Sequence, residues 1–205
     1  MIMEAKRMLS PVHAAQCICF DGRHFWLAAR GGPELYKLSD EWRVIETVPA
    51  PGSIWGLARS TQGLAVVCGL GNDDRYIYQY SAQVGFTSER VPCPDLTGCY
   101  ITYDDKEQLW LVQAAYGCIA VLRPPRLIDK IHLKEDVYGI CWARNSLFAV
   151  FMEEGRYHIG ALDACSKALK SLGIMRFASR SLTYDGDLLW SSYRDEDEIV
   201  AFQFA

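Results

Sequence analysis

The chain has 205 residues, half of them hydrophobic, 22% charged, with a formal net charge of −4. This composition excludes global disorder and fits one large globular domain or two small ones. The slight acidity offers no electrostatic footprint for nucleic acid, and no run of about 18 apolar residues is present to cross a membrane.

Residues 3–9 form the first predicted element, a strand-length polar segment. Charges are spread through MIMEAKRMLSPVHAAQ and no continuous apolar h-region exists, so a secretory signal is not expected and a cytoplasmic location is. Five units of one grammar follow, at about 14–49, 53–92, 98–133, 137–173 and 179–205. In each, a β-rich run meets a polar turn and a second β-rich run answers it: CICFDGRHFWLAAR (17–30), GLARSTQGLAVVCG (56–69), YITYDDKEQLWLVQ (100–113), GICWARNSLFAVFM (139–152) and SLTYDGDLLWSSYR (181–194). A third strand is predicted at 34–39, 76–81, 118–123, 157–163 and 198–204. A fourth, more polar strand follows at 42–48, 86–91, 126–133 and 167–172 in the first four units. Phe25, Leu64, Leu109, Leu147 and Leu189 hold the same place, at separations of 39, 45, 38 and 42 residues.

A four-stranded antiparallel sheet cannot hide both faces alone. Stacking such sheets around an axis buries face against face and leaves short, protected edges. The period and strand count therefore predict an all-β, five-bladed β-propeller in a single domain. The fifth unit lacks an outer strand, and residues 3–9 are expected to supply it, closing the ring. Asp21-Gly22 and Asp185-Gly186 are read as two-residue hairpin turns, with Asp104-Asp105 and Arg144-Asn145 at the equivalent places.

The motifs Tyr184-Asp185-Gly186…Leu189-Trp190, Phe20-Asp21-Gly22…Phe25-Trp26 and Tyr103-Asp104-Asp105…Leu109-Trp110 resemble the bacterial β-propellers whose blades carry a Tyr-Asp-Gly…Leu-Trp pattern. Units two and four keep the apolar positions without the acid–Gly turn or the Trp. The blades lack the Gly-His and Trp-Asp signature of WD40 repeats. The resemblance implies architecture and carries no activity with it.

Projected onto this sequence, the family geometry gathers the starts of the innermost strands at a channel mouth. Gln16, Trp55, Cys99, Tyr138 and Arg180 fall at equivalent positions there, with His13, Ser53, Tyr100 and Asp136 nearby. Aromatics and an arginine at one level suit an anion, a sugar ring or a peptide side chain, and they equally suit a structural plug. The candidate ligand-binding set is Gln16, Trp55, Tyr100, Asp136, Tyr138 and Arg180.

No nucleophile motif, phosphate loop or metal-ligand spacing is present, and no metal or cofactor is expected. The eight cysteines are expected as free, mostly buried thiols. Two acidic loops, Asn72-Asp73-Asp74 and Asp195-Glu196-Asp197-Glu198, lack the spacing of a calcium loop and read as solvated charge. The sequence is thus read as a non-catalytic binding module for a protein partner or small ligand. The alternative is a sugar-acting hydrolase or lyase, or a cyclotransferase, for which Asp136, Glu153 and Glu154 are the acids that could converge.

Overall fold

The computed structural model describes residues 2–71, 74–114, 117–163 and 165–204. Strand β1 (Ile2–Leu9) comes first. The first sheet then holds β2 (Ala15–Phe20), β3 (Phe25–Ala29), β4 (Glu34–Leu38) and β5 (Val44–Pro49). The second holds β6 (Ser53–Ser60), β7 (Gly63–Gly69), β8 (Tyr76–Ser81) and β9 (Gly85–Pro92). The third comprises β10 (Ile101–Asp104), β11 (Leu109–Ala114), β12 (Cys118–Arg123) and β13 (Arg126–His132). The fourth comprises β14 (Asp136–Ala143), β15 (Ser146–Glu153), β16 (Arg156–Leu162) and β17 (Leu169–Ile174). In the fifth, β18 (Arg180–Tyr184), β19 (Leu189–Tyr193) and β20 (Glu198–Phe204) are completed by β1. All pairings are antiparallel.

The first strand of each sheet touches that of the next, and β2 touches both β6 and β18, so five blades close around one axis. Five apolar clusters lie between consecutive blades. Trp26, Leu35 and Cys19 meet Leu57, Val66 and Tyr80 in one of them. Because both faces of a blade are covered, its inner strands read as continuous apolar runs: β7 and β12 are buried along nearly their whole length. The outer strands β5 and β17 are mostly exposed, matching their polar sequences.

At the axis, side-chain hydroxyls satisfy the free edges of inner strands. Ile18 N donates to Ser181 Oγ at 3.0 Å, Phe20 N to Thr183 Oγ1 at 3.1 Å and Trp142 N to Thr102 Oγ1 at 2.7 Å. Five blades leave a narrow axis, and two glycines admit the approach. A Cβ on Gly56 would lie 1.9 Å from Cys99 O, and one on Gly139 would lie 2.8 Å from the Ser181 carbonyl carbon.

Closure by the N-terminal strand occurs as the sequence predicts, in the register Ile2↔Phe204 to Leu9↔Glu198. Arg7 clamps it by pairing with Glu4 at 2.8 Å and with Glu198 of β20.

The turns need one correction. Asp21 and Asp185 do not make two-residue turns; each opens a four-residue loop that its own carboxylate organises. Asp21 Oδ1 accepts from Arg23 N and His24 N, while Oδ2 accepts from Trp26 Nε1 at 2.7 Å. Asp185 does the same for Asp187 N, Leu188 N and Trp190 Nε1. The acid–Gly…Trp pattern is thus one structural unit, an Asx-type turn locked to the indole. Arg144 and Asn145, at φ of 51° and 58°, do form the two-residue turn. The fourth strand of the fourth blade starts two residues later than 167–172 suggests, because Lys167 takes a φ of 53° in the preceding turn. Among the described residues, no helix is long and apolar enough to cross a membrane.

Candidate functional site

The predicted mouth residues share a backbone feature. Pairing slips between Ala15 and Cys17, between Ile54 and Gly56, and between Val137 and Gly139, so Gln16, Trp55 and Tyr138 are each the extra residue of a β-bulge. In the third blade Cys99 N donates to Gln113 O and Gln113 N donates to Tyr100 O, so one residue faces two. In the fifth the slip lies between Arg180 and Thr183. A bulge releases its residue from the pleat's alternation and re-aims the side chain. All five inner strands therefore start with such a device, at the same end of the channel.

Gln16 and Tyr100 are 6% and 7% exposed and join across the axis: Gln16 Nε2 donates to Tyr100 OH at 3.2 Å. Arg194, from the loop after β19, donates to Gln16 Oε1 at 2.8 Å. Arg180 donates to Tyr157 OH at 2.7 Å and lies 4.7 Å over the ring of Tyr138 and 5.2 Å over that of Tyr157. Its backbone is pinned from behind, since Ser192 Oγ and Ser191 Oγ both donate to Arg180 O. Arg75 is 8% exposed, stacks 3.7 Å over Trp55, and donates to Gly98 O at 2.6 Å and to Cys99 Sγ at 3.2 Å.

The electrostatics are one-sided. Three guanidinium groups converge, and among the described residues only Arg194 has a carboxylate neighbour, Asp195 at 3.5 Å. Arg75 and Arg180 are held by carbonyls, a thiol, a phenol and aromatic faces. Among the described residues, two buried N–H groups, Trp55 Nε1 and Arg75 Nε, find no acceptor. Burial raises the phenol pKa of Tyr100 and of Tyr138, so both stay protonated donors at neutral pH. Burial also raises the Cys99 thiol, against the pull of Arg75.

Asp136 stays exposed at the rim, close enough for its charge to act on Tyr138 but without a hydrogen bond to the ring of residues. Glu153, the exposed last residue of β15, sits 3.9 Å from His158, and Glu154 occupies the turn beside it at a φ of 49°. His13 Nδ1 meets Asp197 Oδ2 at 2.6 Å, and Asp197 Oδ1 accepts from Ala14 N. The acidic loop is thereby engaged with Ala14, His13, Arg194 and Arg7. Asn72 and Asp73 of the other acidic loop lie outside the described residues. Among those described, no three His, Cys, Asp or Glu side chains converge as a metal requires.

Arg75, Tyr157 and Arg194 are the mouth residues that the repeat alignment does not find. Each lies in or just after a loop between second and third strands, where lengths differ from blade to blade.

Fold and axis geometry define the class of protein, a five-bladed β-propeller with one channel end filled by hydrogen-bond donors. No protein-family profile and no curated protein matches the sequence. Solved structures do match. The chain is similar to the glutaminyl cyclase of Myxococcus xanthus, at 10% identity and a TM-score of 0.77 over 98% of this chain and 95% of that one. A protein of unknown function from Bacteroides thetaiotaomicron gives 10% and 0.62 over 98% and 72%. The virginiamycin B lyase of Staphylococcus aureus gives 14% and 0.52 over 89% and 63%. At these identities the likeness is one of fold.

Proposed function

We propose that the protein is a non-catalytic binding module whose channel mouth holds a small ligand, or a side chain of a protein partner, that carries an anionic group. The reading rests on one observation: among the described residues, Trp55 Nε1 and Arg75 Nε are buried without an acceptor, beside guanidinium groups whose one carboxylate neighbour is Asp195. A buried donor without an acceptor costs roughly 1–3 kcal/mol, and a buried charge more, so an acceptor arriving from outside relieves both. Trp55, Tyr138 and Arg180 form the contact surface in this reading. Gln16 and Tyr100 orient it, and Asp136 guards the rim against further negative charge. The Tyr-Asp-Gly…Leu-Trp blades support membership of that bacterial repeat family, and the free thiols support a cytoplasmic location.

The test is a thermal-shift and calorimetric titration against phosphate, sugar phosphates and small carboxylic acids. A ligand at a hundred times its Kd adds about 2.7 kcal/mol, which raises the Tm by roughly 5–10 °C in a chain of this size. Arg180→Gln and Trp55→Phe should each remove most of that rise. A rise that both variants leave intact, or no anion that binds, would sink the proposal.

A second reading is an enzyme, favoured by the whole-chain likeness to a glutaminyl cyclase. It is tested by incubation with a peptide that begins with glutamine: cyclisation lowers the peptide mass by one ammonia. An unchanged mass with folded protein would remove this reading and leave the first untouched.

A further inference from the structure

The opposite end of the channel is open. There the last residues of the five inner strands and the hairpin turns after them surround a cavity of about 450 Å³, within the ~300–1,000 Å³ common for small-molecule sites. Its floor is apolar, with Cys19, Leu57, Ile101, Cys141 and Leu182 all buried. The wall adds half-buried aromatic residues, Phe20, Tyr103, Trp142 and Tyr184. The two floor thiols are raised by burial, Cys141 to about 12, so the floor is neutral and offers neither a thiolate nucleophile nor a soft-metal ligand.

The charged residues around this cavity balance: Arg59 and Arg144 against Asp105 and Asp185. Two of the four are already engaged. Asp185 accepts three N–H groups of its own turn and strand, and Arg144 donates to Tyr184 OH at 3.0 Å and reaches toward Asp187 O at 3.5 Å. The side chains of Arg59, Asp105, Thr61 and Asn145 make no hydrogen bond or ion pair among the described residues. They come from the end of β6 (Arg59) and from the turns of blades two, three and four, and together they present a cationic donor, an anionic acceptor, a hydroxyl and an amide.

This combination disfavours ligands that carry a single sign of charge, and apolar ones. An anion would be drawn to Arg59 and repelled by Asp105, and a cation the reverse. An apolar ligand would strand the polar rim. A neutral molecule with many hydroxyls satisfies all four groups, because each hydroxyl both donates and accepts. The half-buried aromatic wall supplies surface for the C–H face of a ring.

We propose that this second end of the channel binds a neutral saccharide of one or two rings, independently of the anionic site at the mouth. The site is small, reaches residues of every blade, and needs no movement of the fold.

The experiment is saturation-transfer NMR and calorimetry on the full chain with glucose, galactose, N-acetylglucosamine and maltose. Gluconate and glucosamine serve as charged comparators of similar size. A neutral sugar should bind at a single site and at least fivefold tighter than either comparator. Arg59→Gln and Asp105→Asn should each weaken it about tenfold, the scale of one charge-assisted hydrogen bond. Both residues are exposed, and the Tm of each variant reports whether the fold is intact. Arg180→Gln, at the other end, should leave sugar binding unchanged. The proposal is overturned if no sugar binds at about 10 mM, well above a millimolar Kd. It is also overturned if a comparator binds as tightly, if both cavity variants bind like the wild type, or if Arg180→Gln abolishes binding.

Discussion

Gly56→Ala isolates the steric demand of a five-membered ring of strands. The added methyl would sit 1.9 Å from Cys99 O, 3.0 Å from the Cys99 carbonyl carbon and 3.3 Å from Ile101 Cγ2. A carbon and a carbonyl oxygen settle at about 3.3 Å or more, so the start of the third blade must retreat by roughly 1.4 Å. The obstacle is backbone and no rotamer change relieves it. Overpacking of this kind costs typically 1–3 kcal/mol, and an immovable neighbour places Gly56→Ala at about 3 kcal/mol. For a chain of this length that lowers the Tm by about 6–12 °C. The assay is a calorimetric or circular-dichroism melt beside Gly85→Ala, where no atom of the described residues beyond the chain neighbours lies within 4 Å of the new methyl, so that any loss there reports backbone conformation and not a clash. A Gly56→Ala protein that melts like Gly85→Ala would refute the claim that the inner strands meet this closely.

Asp21→Ala removes the acceptor for Arg23 N, His24 N and Trp26 Nε1 and leaves a buried indole N–H unpaired; urea unfolding should show a loss of roughly 2–4 kcal/mol. Asp197 is held below the ordinary carboxylate range by the Ala14 N–H and then by His13. Its folded pKa is depressed, so its contribution is complete above the unfolded value and disappears as pH falls through the folded one. Asp197→Asn should therefore melt below wild type at neutral pH, and the difference should shrink as pH falls through the depressed folded pKa of Asp197; a gap of constant size across the whole acid range would contradict this. Cys165 is exposed, whereas Cys17, Cys19, Cys68, Cys93, Cys118 and Cys141 are buried, with Cys68 and Cys93 pushed up to about 12. A thiol reagent should modify Cys165 fast, and Cys165→Ser should remove that fast phase while full labelling awaits unfolding.

The ring of blades is legible in the sequence because each blade buries both faces and so repeats its apolar positions, as Phe25, Leu64, Leu109, Leu147 and Leu189 do. Closure by β1 follows from counting strands, since β20 would otherwise end as a bare edge. The mouth residues are legible for the same reason: Gln16, Trp55 and Tyr138 sit at one offset in the repeat, although nothing in the one-dimensional pattern marks them as bulges. Arg75, Arg194 and Tyr157 escape the repeat because loops of unequal length deliver them, and only the closed ring decides where they land. The Asp21 and Asp185 turns are misjudged by dipeptide preference alone, because a carboxylate that reaches both the turn and a Trp five residues on outweighs the tightest hairpin. The open cavity at the other end is not visible in any one segment. It exists only where five strand ends and their turns diverge.

The most direct test of the central claim is a crystal structure of protein purified straight from cells without exchange into another anion. Density at the channel mouth, with an acceptor atom against Trp55 Nε1 or Arg75 Nε and a contact to Arg180, is the predicted result. A mouth in which ordered water satisfies both donors, with Gln16, Tyr100, Tyr138 and Arg180 packed on one another and no anion bound even on soaking, would contradict it and make the ring a structural plug.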